Sequence, residues 1–324
     1  MTLGTIRMKR AAAAALFAAA ALGVGIAPAG AEKLRVGKVV AQNFGFVPLN
    51  VGAAKGFFQD EGIEIEEFDF GGGAKQQQAL IAGSIDIAIG GGTDLAFVQK
   101  GSPALGIAAI TASPAFMGYI AGDAMAGKSM DDLKGRKIGV TTAGSLSRWL
   151  VDQLNQAKGW GADGAVPVAI GGELSTELAA LKTHAVDAFV DAPAIGYQLE
   201  TEQAGRLMFI CSDYISDLEV FVIYAANPLI QQNPDAVRRF LKGWFEAVGY
   251  MRGHKDETVE IARKITGFSK PVEEREYDLL MPHFSTDGRF DQKALAALAR
   301  SFVDLKTLDQ PPDMAKLYTE KFLP

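Results

Sequence analysis

One strand-and-turn pattern occurs twice in this chain, about 100 residues apart, and no other feature limits the possible folds as much. Leu80-Ile81-Ala82-Gly83-Ser84-Ile85-Asp86-Ile87-Ala88-Ile89 is echoed by Leu181-Lys182-Thr183-His184-Ala185-Val186-Asp187-Ala188-Phe189-Val190. Each copy reads as a helix end, a tight reversal, an Asp and then a buried strand. The surrounding order repeats as well. Residues 34–40, 63–70, 85–89, 105–110, 137–140, 166–170 and 186–190 read as strands, and residues 47–58, 75–82, 94–100, 147–158 and 176–181 as helices. Strands alternating with helices of this length imply crossover units on a mostly parallel sheet. A doubled set implies two similar α/β lobes.

Two further strand-like runs, 116–121 and 219–225, lie just beyond apparent crossovers near 111–115 and 216–219. The chain is therefore expected to enter a second lobe and return. Residues 32–115 form the first part of lobe 1, residues 116–218 lobe 2, and residues 219–324 the return to lobe 1. The C-terminal third reads as helical. Val237, Phe240, Leu241, Trp244, Phe245 and Val248 make one apolar stripe at helical spacing, so Trp244 and Phe245 are assigned to the core. A second such helix at 292–302 is begun by Asp291.

The N-terminus reads as a segment made for export. Arg7, Lys9 and Arg10 precede a mostly alanine apolar run, which ends at Pro28 and the small triplet Ala29-Gly30-Ala31. That order predicts a secretory signal peptide over residues 1–31, cleaved after Ala31, and a periplasmic location. The run is shorter than the ~20 strongly apolar residues of a membrane anchor. Beyond it, 29 basic residues face 38 acidic ones, a net charge of −9 that argues against nucleic acid or an anionic membrane as partner. Cys211 is the only cysteine, so no internal disulfide can form, and its apolar setting predicts a buried, inert thiol.

Several blocks resemble a known family, the periplasmic solute-binding proteins of the sulfonate/nitrate/taurine and thiamine-pyrimidine type. They are Ala53-Ala54-Lys55-Gly56-Phe57-Phe58 with Glu61-Gly62-Ile63-Glu64-Ile65, Gly71-Gly72-Gly73-Ala74 with Leu80 to Asp86, and Asp132-Leu133-Lys134-Gly135-Arg136-Lys137-Ile138-Gly139-Val140. The resemblance implies a type II periplasmic binding protein: two lobes, a ligand cleft between them, and the membrane permease of an ABC importer as partner. It implies a monomer that catalyses nothing. The family spans sulfonates, nitrate, pyrimidines and aromatic acids, so the ligand stays open. The family places Gly where this chain has His184, which predicts a strained or differently shaped turn there.

In open α/β sheets ligands bind beyond the carboxyl ends of the strands, where helix starts present unpaired N–H groups. Three Gly- or hydroxyl-rich junctions fall there: residues 71–73, 90–94 and 141–147. Each suits a helix cap as well as a ligand, but together they select Gly73, Gly92, Thr93, Thr142, Gly144, Ser145 and Ser147 as cleft residues. Asn43 and Phe44 are added from the loop after the first strand. There, one of Phe44 and Phe46 is either an exposed ring that packs on a ligand or a core anchor. Asp191 ends a lobe 2 strand and is selected as an acceptor, though it and Asp94 are equally suited to capping. Lys75 and Arg148 are the available counter-charges for an anion.

Residues 122–129 match the P-loop spacing, but Gly135 and a strand follow too closely for the helix a P-loop needs. His184, His254 and His283 lack metal-spaced companions. No metal or cofactor is expected. An enzyme of the thiamine-pyrimidine synthase type on the same scaffold, or a sensory binding protein presenting its ligand to a receptor, are the alternatives.

Overall fold

The computed structural model describes residues 31–125 and 127–324, so the expected signal peptide and its cleavage site lie outside the described residues except for Ala31. From its start the chain forms β1 (Glu32–Lys38), α1 (Val47–Lys55), α2 (Phe57–Asp60), β2 (Ile63–Asp69), α3 (Gly73–Ile81), β3 (Ile87–Gly91), α4 (Leu95–Gln99) and β4 (Ala104–Thr111). It continues through β5 (Gly118–Gly122), β6 (Lys137–Val140), α5 (Leu146–Ala157), β7 (Val166–Ala169), α6 (Leu174–Lys182), β8 (Ala188–Asp191), α7 (Pro193–Thr201) and β9 (Gly205–Ile210). The last part holds β10 (Phe221–Ala226), α8 (Asn227–Gln232), α9 (Pro234–Gly253), α10 (Lys255–Thr266), α11 (Lys270–Leu280) and α12 (Gln292–Asp304).

Two five-stranded sheets result, in the orders β2-β1-β3-β10-β4 and β7-β6-β8-β5-β9. Each has three parallel strands and then one antiparallel insert, β10 in the first sheet and β5 in the second. Each insert is the first strand after the chain changes sheets, between β4 and β5 and again between β9 and β10. The protein is thus two α/β lobes of the same design. The expected helix at 47–58 is two helices, because Gly56 turns to φ +84° between them.

The repeated Asp has a definite task in each lobe. Asp86 accepts the backbone N–H of Arg35 (2.9 Å) and the Arg35 guanidinium (2.6 and 2.9 Å). Asp187 accepts the backbone N–H of Lys137 (2.9 Å) and Arg136 Nη1 (3.4 Å). Each carboxylate pins the start of one central strand to the next. Such a charged acceptor on a backbone donor is among the stronger protein hydrogen bonds.

The turn before each Asp also keeps one shape. Gly83 stands at φ +68° and His184 at φ +55°. Of the two outcomes expected at His184, the strained turn is found and the different shape is not: the histidine adopts, at some steric cost, the left-handed conformation that the glycine takes freely. Trp244 is fully buried and Phe245 half-buried along α9, and Asp291 caps α12 through the N–H groups of Lys293 and Ala294. Cys211 is a buried free thiol pushed up to about 12 by its burial. Beyond the P-loop-like spacing only a short 3-10 turn, Met130–Leu133, precedes β6. Among the described residues no helix is long and apolar enough to cross a membrane.

Candidate functional site

A cavity of about 310 Å³ lies between the lobes, at the carboxyl ends of β1, β3, β6 and β8. All three glycine- and hydroxyl-rich junctions border it. Gly73 and Ala74 open α3, Gly91, Thr93 and Asp94 follow β3, and residues 141–147 lead from β6 into α5. Val39, Val40, Phe97, Met117, Val190 and Phe221 supply apolar wall, and Thr307 reaches in from beyond α12. The lobes also touch around it. A Cβ on Gly71 would lie 2.2 Å from Glu173 Oε1, so the loop after β2 meets the loop before α6. Trp149 Nε1 (3.1 Å) and Gln153 Nε2 (3.3 Å) on α5 donate to Asp304 at the end of α12.

Of the ten residues selected from the sequence, eight line the cavity: Asn43, Gly73, Thr93, Thr142, Gly144, Ser145, Ser147 and Asp191. Two do not. Phe44 is fully buried and meets the rings of Tyr277 (6.2 Å) and Phe284 (6.0 Å) edge-on. Phe46 packs on Phe221 at 4.9 Å, so both loop aromatics are core anchors. Gly92 faces away: its N–H donates to the Val220 carbonyl (2.9 Å), and a Cβ there would stand 1.9 Å from the Glu219 carbonyl oxygen. It is a point of close backbone packing where β10 enters, and Gly91 beside it borders the cavity instead.

The lining hydroxyls partly serve the loop itself. Ser145 Oγ caps α5 by accepting from Arg148 N (3.3 Å) and donates to the Thr142 carbonyl (2.8 Å). Ser147 Oγ accepts the Thr141 N–H at 3.0 Å. Asn43 Oδ1 accepts from Gly45 N (2.9 Å). Arg148, weighed as a counter-charge, pairs with Asp152 at 2.9 Å, and neither it nor Lys75 borders the cavity.

Two buried acids stand in the wall, one from each lobe. Asp94 is 5% exposed, and its Oδ2 has no hydrogen-bond partner. It sits over Gly90, where a Cβ would be 2.8 Å from that oxygen and 2.6 Å from the equally unpartnered Gln76 Oε1. Gln76 is oriented by donating to the carbonyls of Gly37 (2.8 Å) and Ile89 (2.9 Å), which leaves its oxygen toward Asp94. Burial pushes the Asp94 carboxyl up to about 7. In lobe 2 the repeat places Glu177 where lobe 1 has Gln76, and Asp191 where lobe 1 has Gly90. Burial raises Asp191 to about 6, against the pull of the Ala192 N–H at 2.7 Å. Glu177 beside it is raised well above the carboxylate range, by burial first and then by the charge of Asp191. Two carboxyls side by side do not both ionise readily.

Gln76 and Glu177 were not selected from the sequence, yet a signal existed. Each sits on the apolar stripe of its helix, four residues before Leu80 or Leu181, where a polar residue is out of place. Thr307 carries no such local signal.

Two α/β lobes with a shared cavity at the strand ends define the architecture of a periplasmic binding protein. The alkanesulfonate-binding protein of Xanthomonas axonopodis pv. citri, solved bound to MOPS, has this fold. It superposes with a TM-score of 0.75 at 18% identity, over 89% of this chain and 98% of that one. The chain belongs to the NMT1/THI5-like family, whose model matches residues 43–258. A protein of Brucella abortus named as a binding protein is 30% identical over 246 residues, 73% of this chain and 72% of that one. A 4-amino-5-hydroxymethyl-2-methylpyrimidine phosphate synthase of Candida albicans is 25% identical over 227 residues, 65% of each chain.

Proposed function

We propose that this chain is the periplasmic solute-binding component of an ABC importer, which captures a small organic molecule between its lobes and presents it to the permease. The observation that carries the reading is the cavity itself, walled by both lobes and by the starts of α3 and α5. Unpaired helix-start N–H groups, adjustable hydroxyls and an apolar wall suit a solute of modest size. The hinge is placed in the two segments that join the sheets, between β4 and β5 and between β9 and β10, whose backbone rotation would open the lobes. The mature protein starts after Ala31 in this reading, and one copy binds one solute without changing it.

The test begins with protein taken from the periplasm and denatured, and mass analysis of what it releases. A solute that rebinds unchanged, with X-ray scattering showing compaction on binding, is the expected result. An empty protein that compacts with no added solute class would sink the reading. The similarity to the Candida synthase favours an enzyme on this scaffold. Recovery of a chemically altered solute, with turnover, would decide for it.

Two hydroxyl variants separate binding from folding. Thr142→Ala is expected to weaken solute binding about 5-fold or more, as for one lost hydrogen bond, with its thermal midpoint intact. Ser145→Ala should lose affinity and also about 1 kcal/mol of stability, because it removes the cap of α5. Calorimetric titration and thermal melts measure both. Unchanged affinity in both variants would place the solute elsewhere.

A further inference from the structure

The geometry points to a solute carrying a protonated nitrogen group, an amine or amidine on a compact and largely apolar body, received by Asp94 of one lobe and Asp191 of the other. This deepens the solute-binding reading and rests on it. Every charged residue that lines the cavity is acidic: Asp94 and Asp191 border it, and no Lys, Arg or His does among the described residues. A desolvated anion here would lack a countercharge and stand against two carboxyls, a costly arrangement. A cation would gain both partners in a setting where apolar side chains exclude water and strengthen the pairing.

A second observation is independent of the charge count. Asp94 is almost wholly buried at the cavity wall, yet one of its oxygens has no donor, and the nearby Gln76 oxygen is also an acceptor without one. Buried acceptors are nearly always satisfied, so an orphan in the wall of a binding cavity marks a place where a ligand donor is missing. In lobe 2 the corresponding strand end holds Asp191 beside Glu177, whose buried Oε2 likewise has no partner. The two copies of the repeat have thus converged on acids at corresponding strand ends by different residues. The N–H groups that open α3 and α5 would receive an acceptor atom elsewhere on the same molecule.

The test titrates the mature chain with a matched series of benzamidine, benzamide, benzoate and benzenesulfonate, by calorimetry and thermal shift. Benzamidine is expected to bind at least 30-fold more tightly than benzoate or benzenesulfonate, with benzamide between them. Asp94→Asn and Asp191→Asn should each reduce that preference 10-fold or more while the thermal midpoint does not fall, which separates lost recognition from lost folding. Anions binding as well as benzamidine, or a preference untouched in both variants, would overturn the assignment and leave solute capture standing. Binding by none of the four would overturn it too, and the released-solute experiment then decides separately whether the chain captures solutes at all.

Discussion

Gly92→Ala is expected to lose about 3 kcal/mol or more of stability, as overpacking against rigid backbone does, although the substitution adds one methyl group. The methyl would stand 1.9 Å from the Glu219 carbonyl oxygen and 3.0 Å from its carbon, with Leu298 Cδ2 behind at 3.2 Å. The two Glu219 atoms are backbone and cannot turn aside as a flexible side chain would. Glu219 leads into β10, and the Gly92 N–H is itself committed to Val220, so relief requires moving the antiparallel insert of lobe 1. Gly144→Ala is the control, because its added methyl meets only Thr307 Cγ2 at 3.5 Å. That variant should melt within about 1 °C of the parent, a ΔΔG of a few tenths of a kcal/mol for a chain of this size, while narrowing the cavity. Urea unfolding of both variants makes the comparison. Equal stability would mean that Gly92 is not packed as described.

The second large effect is on pH. Six buried carboxyls are held above their ordinary range, chiefly by burial: Asp191 to about 6, Asp94 and Glu273 to about 7, Glu219 to about 8, and Glu177 and Glu276 well above. Unfolded, all six titrate near pH 4. Between pH 4 and pH 8 the folded chain therefore binds more protons than the unfolded chain, and its stability must fall as pH rises through that window. Each pKa unit of difference is worth about 1.4 kcal/mol, so a drop of several kcal/mol from pH 5 to pH 8 is expected. The carboxylates held low, Asp132 and Glu257, are exposed and act only at more acid pH.

Glu219→Gln isolates one contribution. Glu219 Oε1 accepts the Asp291 N–H at 2.7 Å, a bond that glutamine can keep. The variant should gain about 1 kcal/mol or more at pH 8 and little at pH 5, where the parent glutamate is already protonated. A parent protein with equal or higher unfolding midpoints at pH 8 would contradict the whole account.

The residues chosen for the cleft show how far local reasoning reaches toward the cavity wall. Thr142, Gly144, Ser145 and Ser147 follow a strand that alternation alone identifies, and a strand end in this topology faces one cleft. The same reasoning failed at Phe44 and Gly92, which belong to junctions placed just as well. Their roles depend on Tyr277, Phe284 and Glu219, partners more than 100 residues away in the chain. Likewise β9 and the antiparallel sense of β5 and β10 follow from pairing between segments far apart, not from any run of residues.

By itself the sequence determined the two-lobed design, because the period of buried positions, the left-handed turn and the strand-pinning Asp are local properties, and each appears twice. It also pointed to the sheet edge at which the cavity lies. Tertiary structure alone decided the character of that site. The acids are buried, one Asp94 oxygen lacks a donor, and Lys75 and Arg148 lie off the cavity wall, because burial and pairing depend on what the rest of the chain packs against each group.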